Sequence, residues 1–203
     1  MDNLHIIVGL GNPGAEYVST RHNAGFIVLD EWAAKWRMEW QFERKFDALL
    51  SRRFELSGKF VLLCKPQGYM NNSGESVAPL ANYYRVEPSR VMVVVDDADL
   101  QLGQIRLRPE GSPGGHHGLE SVERNLGTRA YPRQRIGIGR QGTVRQITGH
   151  VLGRFDPEER AVLDRTVCRA IEQLECWLAN GLTTAMNKFN GVEIDPNKER
   201  TAQ

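Results

Sequence analysis

The chain has 203 residues, 40% of them hydrophobic and 25% charged, with a formal net charge of +1; this suits one globular domain with a sizeable core and argues against a non-specific polyanion binder. No window approaches 18 uninterrupted apolar residues and the start lacks the basic and apolar segments of a signal peptide, so a cytoplasmic protein without a membrane span is expected. Cys64, Cys168 and Cys176 have neither a CxxC pair nor metal-ligand spacing, and are expected to be free, mostly buried thiols.

Leu4 to Leu10 reads as a short buried strand. Asn23 is placed to cap a helix from about Gly25 to Trp36, because Leu29, Trp32, Ala33 and Trp36 fall on one face. Phe46 to Leu56 and Lys59 to Cys64 have the character of two strands around a turn at Ser57-Gly58, after which Pro66 and Gly68 break the chain. Ser73 is placed to cap a helix that turns Val77, Leu80, Ala81 and Tyr84 inward, and Arg90 to Val95 is the strongest central-strand run. Gln104 to Arg108 and Arg135 to Gly139 add strands, separated by the Gly/Pro loop Pro109 to Gly115 and a helix over His117 to Leu126. Asp156-Pro157 opens a long helix with Val162, Leu163, Val167, Ile171, Leu174 and Leu178 at helical spacing, and Gly181 ends it. This order predicts a single α/β domain, α/β/α layers around a mixed, mostly parallel sheet, over residues 1–190, with a polar tail at 191–203.

Gly9-x-Gly11-x-x-Gly14 satisfies the dinucleotide-binding fingerprint, with Asp30 near the distance of a ribose-binding acid. That fingerprint needs a helix opening straight after the glycines, whereas Asn12-Pro13-Gly14 makes a turn, so a tight turn presenting Asn12 beside a strand end explains the glycines better. His22 lies between Arg21 and Asn23 at a loop end without apolar periodicity, and Asp96 ends the central strand. A neutral imidazole there can take a proton near pH 7 while the carboxylate fixes its tautomer. Asp96, Asp97 and Asp99 also admit a divalent-ion reading, though no nucleotide motif accompanies them.

No serine sits in a G-x-S-x-G elbow and no cysteine is flanked by glycine or a base, so water is the better nucleophile. Asn12 and Asn71, in turn-like segments, suit substrate steering and oxyanion support, while one of Asn71 and Asn72 is free to cap the helix together with Ser73. Gly114-Gly115-His116-His117-Gly118 puts two histidines at a helix start without metal spacing. From Leu100 to Arg154 there are nine Arg against three Glu; Arg106 and Arg108 share a strand face by period two, and with Arg135 nearby they would form a phosphate clamp.

Taken together, Gly9-Leu10-Gly11-Asn12-Pro13-Gly14, Arg21-His22-Asn23-Ala24-Gly25-Phe26, Tyr69-Met70-Asn71 with Ser73-Gly74, Asp96-Asp97 with Asp99-Leu100, Gly114-Gly115-His116 with Gly118-Leu119, and Arg135-Ile136-Gly137-Ile138-Gly139 resemble the bacterial-type peptidyl-tRNA hydrolase family, in order, over roughly residues 4 to 190. The resemblance implies hydrolysis of the ester between a peptide and the 3′ end of tRNA by a cytoplasmic, generally monomeric, metal-free enzyme with no cofactor and no obligate protein partner. It places the base on His22, its carboxylate on Asp96 and the substrate-positioning asparagines on Asn12 and Asn71. It puts Met70 beside the peptide channel and makes His116 a second site-lining histidine, with Tyr17 and Tyr69 as further substrate contacts; Arg108 and Arg135, with Arg106 beside them, fall at the tRNA 5′ phosphate. Two positions depart from the family pattern. His117 stands where the family has a third asparagine, and Asn72 where it usually has an apolar residue. His117 is larger than asparagine and able to carry charge, so it is expected to join the proton balance around His22. Because a plant organellar branch resembling this fold works in intron splicing, a non-catalytic RNA-binding relative is the alternative.

Overall fold

The computed structural model describes residues 3–139 and 147–192. In chain order the strands and helices are β1 (Leu4–Gly9), α1 (Ala24–Lys35), β2 (Trp40–Glu43), β3 (Ala48–Ser51), β4 (Phe54–Leu56), β5 (Lys59–Pro66) and α2 (Ser73–Tyr84). They continue as β6 (Val91–Asp97), β7 (Gln104–Arg108), α3 (His117–Leu126), β8 (Arg133–Gly137), α4 (Ile147–Val151), α5 (Pro157–Asn180), α6 (Leu182–Phe189) and β9 (Gly191–Val192). One sheet of nine strands runs β2-β3-β5-β1-β6-β8-β7-β9, with β4 paired to β5. The four central strands β5, β1, β6 and β8 are parallel, and every pairing outside them is antiparallel. The expected α/β/α layering is present, with the parallel strands confined to the middle.

Period-two side-chain alternation on fully buried strands divides the core in two. Ile7, Met92 and Val94 face α1, α5 and α6, while Ile6, Val8, Val93 and Val95 face α2 and α3. Each such side chain, removed from water on both sheet faces, contributes about 1.5–3 kcal/mol. Ser57 and Gly58, both at positive φ, make the expected tight turn between β4 and β5, a conformation matched to strand twist. The stretch Phe46 to Leu56 is two short strands, not one, because Arg52 and Arg53 interrupt the ladder. Trp40–Glu43 pairs with β3 at the sheet edge, and α6 packs on α5; neither was expected. The first two residues of the expected tail, Gly191 and Val192, pair with β7, and the remainder lies outside the described residues. Of the cysteines only Cys64 is buried, with its thiol pushed well up by burial; Cys168 is exposed and Cys176 partly so, and all three are free.

A chain of three amides, of which Gln134 and Gln173 are buried, fastens α5 and α6 to the antiparallel end of the sheet. Gln134 Nε2 donates to Gln173 Oε1 at 2.9 Å, Gln173 Nε2 donates to Asn190 Oδ1 at 3.1 Å, and Asn190 in turn bonds both the N–H and the C=O of Leu107.

Gly9 at the end of β1 meets Gly25 at the start of α1 so closely that a Cβ on Gly9 would lie 2.4 Å from the Gly25 carbonyl oxygen. This contact brings the start of α1, with His22 just before it, against the carboxyl ends of the parallel strands, the customary place for a site in such sheets. Of the glycines of the dinucleotide-like fingerprint, Gly9 and Gly11 thus serve packing and Gly14, at φ 114°, serves a turn.

Candidate active site

Loops at those carboxyl ends enclose a cavity of about 740 Å³. Its floor is Asp96, 3% exposed at the end of β6. His22 Nδ1 lies 3.0 and 3.1 Å from the two Asp96 oxygens, and His116 Nε2 lies 3.0 Å from Oδ1. The two imidazoles are 5.1 Å apart between centroids. Hydrogen-bond accounting fixes both tautomers. His116 Nδ1 accepts from the Gly118 and Leu119 N–H groups at the start of α3, so its proton sits on Nε2 and is donated to Asp96. His22 donates its Nδ1–H to the same carboxylate, leaving the Nε2 lone pair on the other edge of a ring that lines the cavity.

The charges follow from these contacts. Burial pushes the Asp96 carboxyl up, but the charge and hydrogen bonds of His22 and His116 outweigh it and hold the group well below the usual carboxylate range. Burial also works to lower the His22 pKa, and the Asp96 charge and hydrogen bond overcome it, so His22 is raised above its ordinary 6.5.

Asn12 and Asn71 also line the cavity. The Asn12 side-chain Oδ1 accepts the Met70 N–H at 2.8 Å, which leaves its Nδ2 as the donor. Asn23, expected as a helix cap, does something else: its amide exchanges two hydrogen bonds with the Asn12 backbone, at 2.9 and 3.0 Å, and makes no side-chain cap. Asn23 is therefore the support that aims Asn12, hidden in the sequence because an asparagine before a helix reads as a cap. Asn71 is exposed and donates to Asn72 Oδ1 at 3.2 Å. Neither Asn72 nor Ser73 caps α2 by side chain; Ser73 Oγ turns back to the Met70 carbonyl. Tyr69 is exposed and Met70 buried, both on the cavity wall. Tyr17 stands apart in the 14–20 turn, outside the residues that line the cavity.

His117 reverses its expectation. Its side chain is 75% exposed and bonds Glu120 Oε2 at 3.0 Å at the cavity rim, because the first residue of α3 points outward once His116 has taken the capping position. The imidazole against His22 is His116.

Asp97 and Asp99 line the cavity as well. Asp97 holds Arg135 at 3.1 Å and accepts the Asp99 N–H at 2.8 Å, so these carboxylates do not converge with Asp96 on one point. The ligand-type atoms of His22, Asp96 and His116 lie within 4.8 Å of one another, yet they are engaged with each other through N–H donors, which suits an oriented base better than an ion.

Arg135 reaches the cavity and is fixed by Asp97 and by the Ser112 carbonyl. Across the ladder Arg106 is directly opposite Arg135 and Arg108 opposite Arg133; Arg106 and Arg108 are exposed on one face as expected, but neither lines the cavity. Arg133, 1% exposed, donates to the carbonyls of Gly111, Arg129 and Tyr131 and so braces the loop that leads to His116. Val151, the last residue of α4, and Leu152 after it complete the wall; no chemical residue type marked them in the sequence. Arg140 and Arg145 of the arginine-rich span lie outside the described residues.

A family model described as peptidyl-tRNA hydrolase matches residues 6–199. A curated peptidyl-tRNA hydrolase from a Synechococcus strain is 49% identical over 191 residues, 94% of this chain and 84% of its own. The one from Geobacillus kaustophilus is 46% identical over 187 residues, 92% of this chain and 100% of its own. Among solved structures, peptidyl-tRNA hydrolase from Acinetobacter baumannii superposes with a TM-score of 0.87 at 35% identity, covering 94% of this chain and 97% of that one.

Proposed function

The chain belongs to the peptidyl-tRNA hydrolase family and cleaves the ester between a peptide and tRNA, recycling the tRNA; on that premise we propose that water is the nucleophile, His22 the general base and Asp96 the carboxylate that orients it. His22 Nε2 takes one proton from the water as its oxygen attacks the ester carbonyl. The resulting imidazolium is stabilised by Asp96 through its Nδ1–H. When the tetrahedral intermediate collapses, the Nε2 proton passes to the terminal ribose oxygen, so the products are a peptide acid and a tRNA with its hydroxyl restored.

Asn12, through Nδ2, and Asn71 position the terminal nucleotide and the peptide and support the developing oxyanion. His116, by sharing the Asp96 oxygen, holds the carboxylate in line with His22. Arg135, with Arg106 and Arg108 beside it, meets tRNA phosphate. Tyr69 and Met70 flank the peptide, and His117 contributes to the rim and not to the proton balance. The observation that carries this reading is the buried His22–Asp96 hydrogen bond, which leaves one imidazole nitrogen free at the cavity.

Its test is His22→Ala, expected to lower kcat/KM on peptidyl-tRNA by about 10²- to 10⁴-fold with tRNA affinity nearly unchanged; a loss under about fivefold would remove His22 from the role. The same assay of peptide release decides against the non-catalytic alternative, which the presence of His22, Asp96, Asn12 and Asn71 already disfavours. We place this activity in the cytoplasm, on residues 1–190 of a chain acting as a monomer. Among the described residues no helix is long and apolar enough to cross a membrane.

A further inference from the structure

Arg21, directly before His22, plays no part in the chemistry above, yet it is only 7% exposed. A buried guanidinium is costly unless it is paired, and this one is met from several sides. Its Nη2 donates to Glu159 Oε2 at 2.5 Å, and its guanidinium carbon lies 5.1 Å from the Phe155 ring centroid. Its backbone N–H donates to the Gly153 carbonyl at 3.0 Å, next to a two-residue bridge between Thr20 and Arg154. Gly153 lies against the guanidinium, since a Cβ there would sit 2.9 Å from Arg21 Nη1 and displace it. Arg21 Nε is buried without an acceptor among the described residues, so the geometry of the group is dictated by its other contacts.

Glu159 is equally committed. Its carboxylate accepts the Asp156 N–H at 2.9 Å while Asp156 accepts the Glu159 N–H at 2.8 Å, the reciprocal box that starts α5. One carboxylate thus closes the first turn of α5 and grips the residue before the base. Val151 and Leu152, the apolar wall of the cavity, directly precede Gly153, whose carbonyl accepts the Arg21 N–H.

We infer that Arg21 and Glu159 are a positioning pair for the hydrolysis, an ion pair that holds the His22 turn, the Val151–Leu152 wall and the start of α5 in one arrangement. Neither residue touches substrate or the reacting atoms; they act through His22, so the inference rests on the reading of His22 as base. If the carboxylate charge is removed, the buried guanidinium loses its counterion, turns toward solvent and draws the short turn with it, and the His22 Nδ1–Asp96 alignment loosens.

Glu159→Gln isolates this effect, because glutamine at the third helical position still completes the capping box and only the charge is lost. On peptidyl-tRNA the variant is expected to lower kcat about 5- to 20-fold, part of what a charge-assisted hydrogen bond supports, while KM stays within about threefold because the arginine face is untouched. The His22 Nδ1–H resonance, measured by nitrogen-edited NMR on the intact protein, is expected to broaden or shift. In a His22→Ala background Glu159→Gln should have no further effect on kcat. Arg21→Lys, which keeps the charge without the planar fork, is expected to fall between wild type and Glu159→Gln, and serves the same measurements should Glu159→Gln not fold. Unchanged kcat and an unchanged His22 resonance, with only a lower Tm, would overturn the proposal, as would an equal loss of kcat with and without His22. A His22→Ala enzyme of full activity would instead overturn the assignment of the base, a result the cycle keeps separate.

Discussion

Asp96→Asn keeps the shape of the buried side chain and removes its charge. In the native site Oδ1 accepts from His22 Nδ1 and His116 Nε2, both at 3.0 Å, while Oδ2 lies 3.1 Å from the same His22 nitrogen. An asparagine that keeps its oxygen at the Oδ1 position sets its NH₂ group against the His22 Nδ1–H. The simplest relief is for the imidazole to carry its proton on Nε2 instead, the tautomer with no lone pair for water. The lost charge adds a second penalty, because the imidazolium formed during attack gives up a charge-assisted hydrogen bond worth about 1.5–3 kcal/mol, or about 10- to 150-fold in rate. Together these give an expected fall in kcat/KM of about 10²- to 10⁴-fold. The pH profile supplies an independent signature. The native His22 pKa stands above 6.5 because Asp96 outweighs burial; with the carboxylate neutralised burial prevails, so the acid limb of kcat/KM moves to lower pH even as the rate falls. Peptide release from peptidyl-tRNA, followed from about pH 5 to 9, measures both. Activity within about fivefold of wild type, or an acid limb that stays in place, would refute the argument.

Arg135→Ala and Arg108→Ala should each weaken tRNA binding and reduce the logarithmic salt slope by up to about 1; equal affinity loss on removing the tRNA 5′ phosphate in wild type and variants would disprove the contact. His117→Asn, which breaks only the rim pairing with Glu120, should stay within about twofold of wild type with a superimposable pH profile, and a changed acid limb would return His117 to the proton balance. His5, buried edge-on against Trp177, has its pKa lowered to about 4, chiefly by burial. The unfolded chain therefore binds a proton below pH 6.5 that the folded one refuses until about 4, so stability is lost as pH falls through that window. The ring lies shallowly, which reduces the full linkage value of about 3 kcal/mol to about 1–2; denaturant titrations at both ends of the window should show the loss in wild type and a smaller one in His5→Gln.

The strands at the centre were legible because Val91 to Val95 has no polar residue to allow another reading, and α5 because Asp156, Pro157 and Gly181 mark its ends. The edge strand Trp40–Glu43 was not, although its residues alternate, since four residues give too little period to separate a strand from a turn. His22, Asp96, Asn12 and Asn71 were legible as residues at loop ends, and all four line one cavity. What could not be read was direction. Sequence adjacency left His116 and His117 interchangeable, and only the start of α3 decides that one imidazole faces Asp96 and the other solvent. Arg21, Asn23 and Glu159 escaped for a related reason: each has an ordinary local role, as a surface charge or a helix cap, and each takes its actual partner from a distant stretch of chain.

Asn190 is not among the residues that line the catalytic cavity, yet its amide reads Leu107 as a neighbouring strand would, with one bond to the N–H at 2.7 Å and one to the C=O at 3.2 Å. The strand it grips alternates Ile105 and Leu107 inward with Arg106 and Arg108 outward. A slip of one residue would exchange the two sets, sending guanidinium groups into the core and aliphatic chains toward solvent. Because the chain from Gln134 through Gln173 to Asn190 contains no titratable group, this registration does not depend on pH. A neutral side chain that is no part of the cavity wall thereby determines whether β7 shows guanidinium groups or aliphatic chains to solvent.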